Sequence, residues 1–317
     1  MTGENSNVLM AADEGAVVDT INANGDAALV LVCEHASSYI PFSLGDLGLS
    51  EDARYSHIAW DIGTYDLATA LSRMLDAPLV ASRVSRLVYD CNRPLADSSA
   101  TPTVSERYDV PGNCSLSTQQ RQQRYDEVYL PFERMLAQQV ATQSDKLSAD
   151  THISKSPCFE TRLETRLETN LEPRIETRPV ANSAASSWQL PVLVTVHSFT
   201  PIYHGQTRDV EIGLLHDEES QFAIRMQEAV ADLEIEAGQQ QGNSQAPFPA
   251  LLKVELNKPY SASDGVMHTL VTHARPSNLS QVMIEVNNKL LRDADGVREV
   301  AKQLASMINL ALLSGPA

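Results

Sequence analysis

Four short apolar runs, each closing on charged or reactive side chains, constrain this chain more than any other feature. Leu190 to Val196 reads as a buried strand that delivers His197 to the point where the chain turns at Ser198-Phe-Thr-Pro201. Ala28 to Cys33 is a second such run and ends in Glu34 and His35. Ser85-Arg-Leu-Val-Tyr-Asp-Cys-Asn-Arg-Pro94 packs Arg86, Asp90, Asn92 and Arg93 around a short apolar core. In Gln281-Val-Met-Ile-Glu-Val-Asn-Asn288, Glu285 interrupts a strand that otherwise has no reason to carry charge. Open α/β sheets hold ligands just beyond the carboxyl ends of their strands. Four reactive groups with the same placement therefore point to one site.

Between these runs the pattern alternates. Ile62, Leu67, Leu71 and Leu75 have helical spacing and predict a helix over about 62–75, followed by strands near 78–82 and 86–91. A helix is expected from Ser117 toward Gln143, with Tyr125, Val128, Tyr129, Phe132 and Leu136 as its buried stripe and Pro131 as a point of kinking. Strands near 209–215 and 250–255, a helix near 218–237 and a C-terminal helix near 294–313 follow. Alternation in the stretch Gly265 to His273 suggests one more strand. This order predicts an α/β fold, a three-layer α/β/α arrangement on a mostly parallel mixed sheet. It is read as a single domain over 27–317, preceded by a polar, acidic extension over 1–26.

The stretch from about 144 to 187 departs from its surroundings. Glu160-Thr-Arg-Leu, Glu164-Thr-Arg-Leu, Glu168-Thr-Asn-Leu, Glu172-Pro-Arg-Ile and Glu176-Thr-Arg-Pro form an approximate tetrapeptide repeat. A period of four drifts around a helix, and Pro173 and Pro179 break one. We read it as an exposed, low-complexity insert without a catalytic role.

The net charge of -17 opposes nucleic-acid binding, which depends on a basic surface. No run of about 18 apolar residues is present, so no membrane span is expected. Residues 1–26 lack a basic start and an apolar stretch, so no signal peptide is expected. Cys33, Cys91, Cys114 and Cys158 have no regular spacing, and Cys33 and Cys91 lie in apolar contexts. Reduced, buried thiols of this kind fit a cytoplasmic protein. An acidic protein acting on an acidic substrate needs local positive charge, for which Arg86, Arg93 and Arg208 are the candidates.

A catalytic zinc takes three ligands from His, Asp and Glu and keeps one position open. This chain offers His35 with Glu34, then His57 and Asp61 in Ser56-His-Ile-Ala-Trp-Asp-Ile-Gly63, then His197. Adjacent strand residues face opposite ways, so Glu34 and His35 can both serve only if the strand has already ended there. Asp61 is the alternative third ligand, or else the partner of a ligand histidine. The residues leave both open.

These segments resemble the N-formylglutamate amidohydrolase family, zinc hydrolases related in fold to zinc carboxypeptidases. The matching pieces are Cys33-Glu-His-Ala-Ser37 with Pro41, His57 to Gly63, Ser85 to Pro94, His197-Ser-Phe-Thr-Pro201, Gly205 with Arg208, Glu211-Ile-Gly213, Asn257-Lys-Pro-Tyr260, His273-Ala274 and Ile284-Glu-Val-Asn-Asn288. The insert and the N-terminal extension are not part of the pattern. The resemblance implies one zinc per chain, with His35 and His197 as ligands and Glu34 or Asp61 as the third. It implies Glu285 as general base, and Arg86 or Arg208 polarising the scissile carbonyl. Asn92 and Arg93 would grip the substrate's carboxylate, with Tyr260 lining the pocket. The implied reaction is hydrolysis of N-formyl-L-glutamate to formate and glutamate, a step of histidine degradation.

The remaining histidines carry less. His57 is a ligand candidate but as readily a surface residue, and His268 and His273 are weaker candidates still. His152, His204 and His216 lie in loop-like surroundings. Ser198 beside His197 lacks the Gly-x-Ser-x-Gly elbow of a serine hydrolase, and no phosphate-cradling glycine loop occurs. Two alternatives stand beside the main reading. One is a deacylase or peptidase of the same fold with another N-acyl substrate; the other is a non-catalytic protein that uses the repeat to bind a partner.

Overall fold

A computed structural model describes residues 8–153, 188–217, 221–241 and 251–315. Seven strands make the central sheet: β1 (Val18–Ile21), β2 (Leu29–Cys33), β3 (Leu79–Ser82), β4 (Val192–Phe199), β5 (Ile212–Leu215), β6 (Val254–Leu256) and β7 (Gln281–Asn287). Their order across the sheet is β1-β3-β2-β4-β7-β5-β6. The four central strands β3, β2, β4 and β7 run parallel. β1 runs against β3 at one edge, and β5, with β6 parallel to it, runs against β7 at the other. β2, β4 and β7 are buried along their whole length, as parallel strands covered on both faces must be.

Leu29, Leu31, Val194, Val196, Val282 and Ile284 point to one face, where they meet helices α1 (Thr64–Leu75), α3 (Phe222–Gln241) and α5 (Ala294–Leu313). Alternate residues of the same strands, Val30, Val32, Leu193 and Met283, point to the other face. There they meet α2 (Leu130–Ile153) and the long loops that carry the site. The expected three layers are thus present. α5 matches its expected range, and Asp293 opens it by accepting from Gly296 N at 2.8 Å. α2 continues the helix Thr118–Arg124 through a π turn, Tyr125–Tyr129. That turn ends two residues before Pro131, whose missing N–H and bulky ring an α-helix accommodates poorly.

Three local expectations are corrected. Ser85 to Pro94 is not a strand but a chain of turns, with Val88 N bonded to Ser85 O and Arg93 N to Asp90 O. The Ser85 hydroxyl accepts from Leu87 N and the Asp90 carboxylate from Asn92 N, so side chains satisfy backbone groups that a ladder would otherwise satisfy. The stretch read as a strand before His273 holds α4 (His268–His273) instead. Its start is fixed from a distance, because Asn92 Oδ1 accepts from Thr269 N at 3.0 Å. Finally, His197 does not end its strand. β4 runs on to Phe199, which pairs with Asn287.

Within the stretch read as an N-terminal extension, Val18–Ile21 forms the edge strand β1, pairing with all four residues of β3. The tetrapeptide repeat lies outside the described residues. Among the described residues no helix is long and apolar enough to cross a membrane.

Candidate metal centre and active site

The site forms where β2, β4 and β7 meet the loops of the α2 face. β2 ends at Cys33, so Glu34 and His35 are free to point into one place. His197 in β4 and Glu285 in β7 are in direct register on parallel strands, which puts their side chains next to each other on one face. Asp61 arrives from the turn before α1, where its N–H bonds His35 O at 3.0 Å and its C=O accepts from Thr64 N.

Both histidines converge on a single oxygen. Asp61 Oδ2 lies 3.3 Å from His35 Nδ1 and 2.9 Å from His197 Nδ1. His35, Asp61 and His197 offer ligand atoms that all fall within 4.8 Å of one another, and all three side chains are buried. Ligands about 2.0–2.1 Å from a tetrahedral zinc lie about 3.3 Å apart, close to the distances of the two Nδ1 atoms from Asp61 Oδ2.

The outer nitrogen of each ring faces a carboxylate of its own. Asp90 Oδ1 is 2.8 Å from His35 Nε2, and Glu34 Oε2 is 3.2 Å from His197 Nε2. A carboxylate behind a histidine fixes its tautomer and turns the opposite nitrogen toward a metal. Glu34, one of the two candidates for third ligand, thus sits behind His197, while Asp61, the other, faces both inner nitrogens.

Charge makes the same point. Glu34, Asp61, Asp90 and Glu285 are all buried, and Arg86 bonds two of them, Asp61 Oδ1 at 3.2 Å and Asp90 Oδ2 at 2.8 Å. Burial raises the carboxyl of Asp61, but His35, His197 and Arg86 outweigh it and hold Asp61 below the usual carboxylate range. Asp90 is likewise held low, against burial, by His35 and Arg86. His197 is pushed upward by Glu34 and Asp61 despite its burial. Glu285 goes the other way: burial lifts it to about 7, with His197 opposing and the charge of Asp61 adding to the rise. Glu34 Oε2 and His197 Nε2 face each other at 3.2 Å, and Glu285 Oε2 is buried without a hydrogen-bond partner. Buried polar atoms are rarely left so, and a divalent cation in this acidic cluster offsets their cost.

The cluster opens into a cavity of about 210 Å³ lined by His35, Asp61, Arg86, Arg93, His197 and Glu285, with Asn92 and Tyr260 also on its wall. Arg93 Nη1 is held by the carbonyl oxygens of Asn92 and Gly265, both at 2.9 Å, rather than by a carboxylate. Arg208 donates to the Tyr260 hydroxyl at 2.9 Å and lies over the rings of Tyr203 and Tyr260, at 4.4 and 4.8 Å. Tyr260 owes its own place to Gly213. A Cβ at 213 would sit 1.8 Å from Lys258 O, so only glycine lets the Lys258–Tyr260 loop pass beside Glu285.

Asn92 spends most of its amide elsewhere: Oδ1 accepts from Thr269 N and Oγ1, and Nδ2 donates to Val266 O. His57 is on the cavity wall but outside the His35–Asp61–His197 group, with Nε2 2.9 Å from Glu106 Oε2. His268 bonds the Tyr129 hydroxyl and, like His273, is depressed by burial, His273 to about 4. His216 bonds the Asp217 carbonyl. Sequence reasoning did not single out Asp90 as the support of His35, nor Glu106. The first signal was present, since Asp90 stands inside a quoted motif, but its partner depends on a turn that the sequence read as a strand.

A buried cluster of two histidines and one aspartate beside an unpaired glutamate makes a candidate metal centre on an α/β fold. Residues 27–155 match the model of the N-formylglutamate amidohydrolase family. The chain is similar along nearly its whole length to gene product Atu2144 from Agrobacterium tumefaciens, with 36% identity, a TM-score of 0.73, and coverage of 96% of this chain and 98% of that one. It shares its fold with an N-formylglutamate amidohydrolase from Ralstonia eutropha JMP134, at 15% identity and a TM-score of 0.51, over 95% and 97% of the two chains. No curated protein matches it. The chain belongs to the N-formylglutamate amidohydrolase family.

Proposed function

We propose that this protein is a zinc-dependent amidohydrolase that cleaves the amide of a small acidic N-acyl amino acid, N-formyl-L-glutamate being the first candidate. The observation that carries the reading is the convergence of His35 Nδ1, His197 Nδ1 and Asp61 Oδ2, with unpaired Glu285 in register beside it. His35, His197 and Asp61 would hold the ion, with Asp90 and Glu34 orienting the two imidazoles. A zinc ion there supplies Lewis acidity, polarising an amide carbonyl and acidifying a water.

The protein's own groups do the rest. Glu285 takes the proton of the attacking water and returns it to the departing nitrogen. Arg86 keeps N–H groups beyond its two aspartate bonds, and we assign these to the carbonyl oxygen as negative charge builds there. Arg93, on the cavity wall, takes a substrate carboxylate, as its freedom from carboxylate partners allows, while Arg208, stacked on Tyr203 and Tyr260, holds those two rings in place. Asn92 acts through the loop it pins, and Tyr260 closes the wall. Free, buried Cys33 and Cys91 suit a cytoplasmic setting.

Zinc-loaded protein is expected to release glutamate from N-formyl-L-glutamate, to stop when chelated, and to recover when zinc is returned. Protein that holds zinc yet releases no glutamate would exclude this substrate.

A further inference from the structure

Two short hairpins flank the cavity, and one side chain ties them together. The first pairs Val104–Ser105 with Tyr108–Asp109, and the second pairs Ile202–Tyr203 with Gln206–Thr207. Their turns begin at Glu106 and His204, both in the left-handed region at φ 51° and 48°. At His204 the following residue is Gly205, also at positive φ, the pairing that two-residue hairpins favour. Glu106 has no such excuse. A glutamate seldom adopts this conformation, and a carboxylate at a hairpin tip normally reaches water. Its side chain here is only 10% exposed.

What holds it is contact with two other segments. Glu106 Oε1 accepts from His204 N at 3.1 Å, and Oε2 lies 2.9 Å from His57 Nε2. These bonds hold its carboxyl below the usual range even though burial opposes them. One carboxylate therefore joins the first hairpin, the second hairpin and the turn before Asp61. Ser105, Glu106, His57, Ile58 and Tyr203 all line the cavity, so the tied segments form one of its walls.

Charge indicates which part of a substrate faces that wall. The amino-acid half of an N-acyl amino acid is anionic and is drawn to Arg93, while the Glu106 carboxylate repels it. The acyl half is left to face the hairpins. We propose that Glu106, with His57 and His204, forms a clasp that bounds the acyl end of the cavity and restricts the enzyme to short acyl groups. Glu106 is then a specificity-determining residue. The inference rests on the N-acyl amino acid reading given above.

The test is calorimetric binding of N-formyl-, N-butanoyl- and N-octanoyl-L-glutamate to zinc-loaded protein carrying Glu285→Gln, so that turnover does not consume the ligand. That parent is expected to bind the formyl compound at least about tenfold tighter than the octanoyl one. Adding Glu106→Ala should bring the two within about threefold, whereas Glu106→Gln, which can still bond both partners, should keep most of the difference. His57→Ala cuts the clasp from its other side and should move the ratio the same way, which guards against misfolding of one variant. A ratio unmoved by Glu106→Ala and His57→Ala overturns the clasp, as does a parent that binds the octanoyl compound as tightly as the formyl one. A parent that binds none of the three contradicts the substrate reading itself, and the clasp falls with it.

Discussion

Asp61→Asn is expected to weaken zinc binding by more than about 100-fold, and Glu34→Gln by only about 10- to 100-fold. Each factor of ten corresponds to about 1.4 kcal/mol. The order follows from position. Asp61 Oδ2 faces the inner nitrogens of both histidines, so replacing Asp61 removes a ligand and its charge together. Glu34 touches the outer nitrogen of His197, so its loss only loosens the ring. Competition against a chromophoric chelator measures both constants. The metal-free variants should unfold at similar denaturant concentrations, since Arg86 keeps Asp90 as a partner in each. A larger loss for Glu34→Gln than for Asp61→Asn would make Glu34 the third ligand.

Glu285→Gln should keep zinc and lose about 10²- to 10⁴-fold in turnover, the usual worth of a positioned general base. Glu285 is suited to that work because burial raises its carboxyl to about 7, close to the pH at which it must both accept and release a proton. A cation beside it lowers that value, so activity in the metal-loaded wild type should fall on acidification at or below about pH 7. The glutamine variant matches the glutamate in shape and leaves the His197 register untouched. Metal content measured on the same sample separates loss of the base from loss of the ion. Turnover at the wild-type rate would remove Glu285 from the chemistry.

The sequence carried the layers of this fold well, because β2, β4 and β7 are buried on both faces and read as continuous apolar runs. It carried edge β1 poorly. Val18–Ile21 is four half-buried residues with one charge among them, too short to show a period. Ser85 to Pro94 misled for the opposite reason: most of its residues are buried, but within a loop whose backbone is partly satisfied by its own serine and aspartate.

The members of the site were legible as residue types at strand ends, yet their division of labour was not. Whether Glu34 or Asp61 reaches the inner nitrogens depends on ring orientation, which Asp90 and Glu34 set from across the fold. The His197–Glu285 pairing is a matter of register between strands about ninety residues apart. Glu106 left no signal at all, since its meaning depends on two hairpins meeting over His57.

The central claim is that His35, Asp61 and His197 hold a metal ion. It is tested most directly by anomalous diffraction at the zinc edge from crystals of the zinc-loaded protein. A single strong peak about 2.0–2.1 Å from His35 Nδ1, His197 Nδ1 and an Asp61 oxygen is the expected result. A peak bounded instead by Glu34 and His197 Nε2, or no peak in protein that binds zinc in solution, would contradict it.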